Sequence, residues 1–274
     1  TVLPGSGLSS SAACEVLIGT TGNHLFCQDK FDAVEIAKIG QKAENEYFGK
    51  PCGLMDQTAS SVGDAVAIDC KDPANPVVRA INADLAGLGL ALCIIDCGAD
   101  HAALTNEYAS IPEEMCKVAA HFGKKVLREV KEEELLADLA QVRKEAGDRA
   151  VLRALHFYAD DRRAAEEADA LERKDKEAFL NLVKESGRSS WELLQNITPA
   201  AAITHQDMAV ALTVAEKALN GKGACRVHGG GFAGTIQAFV PVEDVCEFKK
   251  TMETMLSEGC CHVLSIRPAG GLIL

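Results

Sequence analysis

The chain has 274 residues, 47% of them hydrophobic and 25% charged, and 28 basic against 40 acidic residues give a net charge of −12. That length and apolar content suit one large or two ordinary globular domains, and the acidic balance excludes nucleic acid and anionic membrane surfaces as natural partners. No apolar run approaches the roughly 18 residues of a membrane span, no signal peptide is visible, and eleven cysteines without a C-x-x-C pair read as reduced core thiols of a cytoplasmic protein.

Val2 and Leu3 read as the end of a strand, so that Thr1 opens where polypeptide upstream is expected. Residues 4–8 form a glycine loop, and residues 9–26 a helix whose opening serines are good caps. Residues 31–48 make a second amphipathic helix and residues 55–62 a short third one. Strands follow at 65–69 and 77–81 around the turn Asp72-Pro73-Ala74-Asn75-Pro76. Residues 88–95 are continuously apolar, as in a strand buried on both faces. Residues 104–195 read as almost wholly helical, and the mixed charges from Asp160 to Lys176 as a solvated helix face. A helix ending at Leu219, a strand at 224–227, a glycine loop at 228–234, a strand at 235–240, a helix at 245–256 and a strand at 262–266 close the chain. Strands and helices mix without regular alternation, which predicts an α+β fold, with a domain boundary near residues 82–88.

Three stretches carry chemistry. In Pro4-Gly5-Ser6-Gly7-Leu8-Ser9-Ser10-Ser11-Ala12-Ala13, glycines allow close backbone approach, and hydroxyls, free N–H groups and a positive helix end converge on one spot. That is the chemistry of a phosphate site, although no loop lysine makes it a Walker A motif; the plainer alternative is a serine-capped helix after a glycine turn. Asp56 follows Pro51-Cys52-Gly53 at the start of a short helix. There a carboxylate can be held rigidly against a hydroxyl, or simply complement the helix dipole. His228-Gly229-Gly230-Gly231-Phe232-Ala233-Gly234 has the glycine density of a backbone that bends sharply or touches a ligand. Vicinal Cys260-Cys261-His262 lacks a second ligand pair and is not read as a metal site.

Together these stretches resemble the superfamily of galactokinase, homoserine kinase, mevalonate kinase and phosphomevalonate kinase, and Pro-Cys-Gly-x-Met-Asp-Gln resembles its galactokinase branch. The resemblance implies a remainder of a ribosomal-protein-S5-like domain over residues 1–84, then a ferredoxin-like domain with helical insertions over 85–274. It implies transfer of the ATP γ-phosphate to the C1 hydroxyl of galactose, with ATP phosphates held by Gly5, Ser6, Gly7, Leu8, Ser9, Ser10, Ser11 and Ala12. Asp56 would be the base and Gly53 and Tyr108 would contact the sugar. Ser11, or Ser10 next, would share Mg2+ with Glu44. Gly229, Gly230, Gly231 and Gly234 would form the third motif and pack on the first loop. Asp96 and Asp100 depart from the pattern, as does the absence of an arginine pair after Tyr108. These departures keep a sibling kinase for N-acetylgalactosamine, galacturonate or arabinose in view, and a non-catalytic sugar sensor is the rival of a different class. The family's first motif, with its arginine and sugar clamp, does not occur in these residues. The chain alone is therefore expected to be nearly inactive and to expose a sheet edge, and the missing segment is a candidate partner as a separate chain.

Overall fold

The computed structural model describes residues 8–49, 52–98 and 104–273; the expected strand end at Val2 and Leu3 and the loop residues 4–7 lie outside them. The chain divides into two compact units. The first comprises residues 1–84 with 171–174 and 265–274, the second residues 85–170 and 175–264.

In the first unit, α1 (Ser10–Cys27), α2 (Ala33–Lys42) and α3 (Met55–Val62) pack around Ala12, Val16, Ile36 and Ala37. Gly19 permits the close approach of α1 to α2, because a Cβ there would lie 2.9 Å from Ile36 Cγ2. Asp32 begins α2 with a capping box. Its carboxylate accepts from the Glu35 N–H at 2.8 Å, and the Glu35 carboxylate accepts from the Asp32 N–H at 2.9 Å. The helix does not run smoothly to Phe48, as its amphipathic pattern predicts, but widens into a π turn over Ala43–Tyr47. An antiparallel hairpin follows, β1 (Ala65–Asp69) with β2 (Val77–Ile81), in register Ala65 to Ile81.

The C-terminal residues 265–274, assigned by the sequence to the second domain, pack in this first unit. The Asp64 N–H donates to the Arg267 carbonyl at 2.7 Å, and Gly63, at φ +78°, has the Ala269 carbonyl carbon 2.2 Å from where a Cβ would stand. No hydrophobic periodicity marks such a return, because it is made by backbone contact at glycines.

The second unit holds a four-stranded antiparallel sheet of β3 (Leu90–Asp96), β4 (Ala224–Val227), β5 (Thr235–Pro241) and β6 (Cys261–Leu264), in the order β4-β5-β3-β6. This is the expected ferredoxin-like arrangement. Consecutive residues Cys93, Ile94 and Ile95 of β3 are all at most 2% exposed. Successive side chains point to opposite faces, so both faces of the strand are covered. Helices α9 (Asp207–Leu219) and α10 (Val245–Met255) bury Met208, Ala211, Leu212, Phe248 and Met252 against it.

Between β3 and β4 stand α4 (Thr105–His121), α5 (Glu132–Ala137), α6 (Leu139–Ala146), α7 (Asp148–Glu172) and α8 (Lys176–Ser189). The core of α4 to α7 is built from Val118, Leu127, Leu135, Val142, Val151 and Tyr158. The cysteine reading needs correction. All eleven are free, but only Cys93, Cys260 and Cys261 are buried, while Cys14, Cys70, Cys116 and Cys246 are exposed. Short apolar neighbourhoods in sequence did not distinguish a core strand from a strand end. Among the described residues, no helix is long and apolar enough to cross a membrane.

The helical layer contains a pH-dependent tie. His121 Nδ1 meets the Glu145 carboxylate at 2.7 Å and Nε2 meets Asp138 at 2.8 Å. These two carboxylates favour the doubly protonated ring and raise its pKa above the ordinary value, Glu145 contributing most. A raised folded pKa adds stability that is fully present below the unfolded value and lost as pH rises through the folded one. The difference in urea midpoint between wild type and His121→Gln should therefore be larger at pH 6 than at pH 9; equal differences would show that the tie is not titrating.

Candidate functional site

The start of α1 and the start of α3, 47 residues apart in sequence, meet through one hydrogen bond: Ser9 Oγ donates to Asp56 Oδ2 at 2.6 Å. Ser9 stands at the helix N-cap in the left-handed region, φ 53°, a conformation costly for a residue with a Cβ. Its carbonyl accepts from the Ala13 N–H at 3.1 Å, but among the described residues its side chain does not cap the helix. The sequence reads the opening serine as a cap; the structure instead turns that hydroxyl to the carboxylate. The first turn of this 18-residue helix carries no acidic side chain. Its N–H groups and the exposed Ser11 hydroxyl thus offer an anion a positive, uncapped end.

Asp56 is exposed on the first turn of α3, and the exposed Gly53 lies just before that helix, with nothing within 4 Å of a built Cβ. What holds their approach is α2 and its π turn. Asn45 Oδ1 accepts from the Cys52 N–H at 2.7 Å, and the Cys52 carbonyl accepts from Gln41 Nε2 at 3.2 Å and Asn45 Nδ2 at 3.4 Å. A side-chain amide that meets both the N–H and the carbonyl of one residue fixes that residue's backbone orientation, so the chain entering Gly53 and Asp56 is preset. Burial, and then the nearby Glu44 carboxylate, push the Cys52 thiol up to about 11, so it stays protonated and unreactive at neutral pH.

Behind Asp56 lies a residue to which the sequence reading gave no role. Gln57 is 1% exposed, and its Nε2 donates to Glu15 Oε2 and to Glu44 Oε2, each at 3.0 Å. One amide thereby bridges two carboxylates, on α1 and on the π turn. Glu44, which alone would read as an exposed helix residue, is 5% exposed, because the wider π turn rotates it inward. Gln57→Leu should leave both carboxylates without this donor and cost about 2 kcal/mol in urea unfolding. An unchanged midpoint would mean that water replaces the amide without loss.

The third motif forms the turn between β4 and β5. Gly229, Gly231 and Gly234 have φ of 70°, 85° and 87°, which accounts for glycine at each. Gly230 lies against Tyr108, whose Cε1 would be 2.8 Å from an added Cβ. Tyr108 Oη donates to the Gly231 carbonyl at 2.8 Å, and its ring meets Phe232 edge-on at 5.5 Å. Burial raises the Tyr108 pKa, which keeps the hydroxyl a donor. His228 Nδ1 donates to Gln237 Oε1 at 3.1 Å, and Arg226 is held by Ser186 and Ser190 of the helical layer. Asp96 Oδ1 accepts from the Gly98 N–H at 2.8 Å; Asp100 lies outside the described residues. Glu44, Ser9 and Asp56 thus belong to the first unit, and Tyr108 with the third motif to the second.

Residues 1–64 match the family GHMP kinases N terminal domain. Galactokinase from Glaesserella parasuis serovar 5 (strain SH0165) is 33% identical over 255 residues, covering 89% of this chain and 61% of that protein. Galactokinase from Actinobacillus pleuropneumoniae serotype 3 (strain JL03) is 33% identical over 246 residues, covering 88% and 59%. The chain therefore spans about three-fifths of the length of these curated relatives. Among solved structures, Lactococcus lactis galactokinase complexed with galactose superposes with a TM-score of 0.75 at 24% identity, over 98% of this chain and 68% of that one. L. major mevalonate kinase in complex with R-mevalonate gives a TM-score of 0.62 at 13% identity, over 98% and 69%. At these identities the two structures speak to the fold.

Proposed function

We propose that this chain, which belongs to the GHMP kinase superfamily, serves transfer of the ATP γ-phosphate to the C1 hydroxyl of galactose, giving galactose 1-phosphate. The observation that carries this reading is the Ser9–Asp56 hydrogen bond, which joins the phosphate-loop helix to the candidate base. An exposed carboxylate fixed beside an uncapped helix N-terminus can orient a hydroxyl toward a phosphoryl group held there. Phosphoryl transfer asks chiefly for such positioning and for charge neutralisation.

In this reading the residues of the first loop, Gly5 to Ala12, hold ATP phosphates. Asp56 orients the C1 hydroxyl and takes its proton, while Gly53 contacts the sugar. Among the described residues no three His, Cys, Asp or Glu side chains group to hold a metal by themselves. Glu44 and the Ser11 hydroxyl are hard oxygen donors, which suit Mg2+ shared with nucleotide phosphates. These two residues would hold that ion, which would neutralise phosphate charge. Gln57 keeps the Glu44 carboxylate oriented.

A panel of sugars decides the acceptor. Full-length protein with MgATP should release ADP fastest with galactose. Clear preference for N-acetylgalactosamine, galacturonate or arabinose would move the assignment to a sibling sugar kinase.

A further inference from the structure

Glu15 stands in the second turn of α1, four residues after Ser11 and so on the same face of that helix. Ser11 is exposed and Glu15 half-buried. Two contacts fix the Glu15 carboxylate. Gly40 of α2 leaves room for it: a Cβ there would lie 3.2 Å from Glu15 Cβ and 3.2 Å from its Oε2. That Oε2 accepts from Gln57 Nε2 at 3.0 Å, and the same nitrogen donates to Glu44 Oε2 at 3.0 Å. The other end of the amide, Gln57 Oε1, is buried without a hydrogen-bond partner. The amide is therefore set by what its nitrogen gives to the two carboxylates, not by anything its oxygen receives.

This arrangement has an electrostatic cost. Two contacts of 3.0 Å on one nitrogen hold the two carboxylate oxygens at most about 6 Å apart. Glu44 is 5% exposed, so water screens the pair poorly. One neutral amide donates to both carboxylates and cancels the charge of neither. Among the described residues Glu15 has Gln57 as its hydrogen-bond partner and no basic side chain in an ion pair. Two carboxylates set side by side suit a divalent cation, and Mg2+ carried by a nucleotide takes one or two carboxylates beside the phosphates.

We propose that Glu15 is a positioning residue for the nucleotide-bound cation: it shares the Gln57 amide with Glu44, which fixes the two carboxylates side by side, and its charge strengthens the hold of Glu44 and Ser11 on that cation. This assignment rests on the reading that Glu44 and Ser11 hold Mg2+, and it adds a second carboxylate to them.

The test measures binding of a non-hydrolysable ATP analogue to the full-length protein by calorimetry, once with Mg2+ and once with EDTA. Wild type is compared with Glu15→Gln and Glu15→Asp. Glutamine keeps the shape and an oxygen that accepts from Gln57, and removes only the charge. With Mg2+, Glu15→Gln should bind the analogue about tenfold more weakly than wild type, the scale of one unit charge near a divalent ion even at the dielectric constant of water. In EDTA it should bind no more weakly than wild type, because a negative charge near phosphates then only repels. Glu15→Asp keeps the charge but draws it back by one methylene, and should fall between the two with Mg2+. The urea midpoint of Glu15→Gln should hold or rise, since one of two adjacent like charges is gone. An unchanged affinity with Mg2+, an equal loss in both conditions, or a loss accompanied by a falling midpoint would overturn the proposal. The wild type separates this failure from failure of the underlying reading. Wild-type binding no tighter with Mg2+ than with EDTA would remove the cation site and the role of Glu15 with it. Wild-type binding that depends on Mg2+, matched by Glu15→Gln, would remove Glu15 alone.

Discussion

Replacing Asp56 by asparagine in the full-length protein should lower kcat for sugar phosphorylation by about 10²–10⁴-fold, the range set by loss of a positioned general base, with KM for ATP and galactose nearly unchanged. Asparagine is nearly isosteric, and its Oδ1 can still accept from Ser9 Oγ, so the 2.6 Å contact that orients this side chain is preserved. What is removed is the ability to take a proton. Asp56 is exposed at the start of α3, so the change should leave the unfolding midpoint almost where it was. Rapid-quench and steady-state assays of the two proteins check this. Equal kcat values would remove Asp56 from the chemistry and leave it a helix-start acid.

The largest expected loss of stability comes from Arg153→Met. Arg153, on α7, is 0% exposed. It donates to the Glu114 carboxylate at 3.0 Å, to Ser110 Oγ at 2.9 Å and to the Leu194 carbonyl at 3.1 Å. Methionine fills similar volume without a donor, leaving a partly buried carboxylate and a carbonyl short of partners. Breaking such a cluster costs 3–5 kcal/mol, and because Glu114 keeps Arg149 at 2.6 Å, a loss of about 3 kcal/mol is expected. Urea unfolding measures it, and a loss below about 1 kcal/mol would mean that the cluster repacks. The Leu194 carbonyl lies two residues before Asn196, whose Nδ2 donates to the Gly230 carbonyl at 3.0 Å, so the same variant should also loosen the third motif.

The sequence speaks clearly where a residue acts through its neighbours in the chain. The helix at 55–62 and the strands at 65–69, 77–81 and 224–227 fall where turn chemistry and apolar runs place them. The glycines of the third motif declare a backbone at positive φ. It is silent where the deciding partner is distant. Nothing near Ser9 says that its hydroxyl serves Asp56 rather than its own helix. Nothing near Glu44 says that a π turn will bury it beside Gln57, since its local pattern is that of a solvated face. Asn196 looks like any polar residue after a helix, and only the fold brings it to Gly230, 34 residues away. The C-terminal return to the first unit escapes for the same reason, being written in glycines that meet backbone rather than in a hydrophobic stripe.

The most direct test follows full-length protein, MgATP and galactose by phosphorus NMR. Growth of a sugar phosphate resonance coupled to the C1 proton, matched by loss of the ATP γ-phosphate, is the result this account predicts. ATP that stays intact while calorimetry records galactose binding would contradict it, and would make the protein a sugar sensor built on a kinase fold.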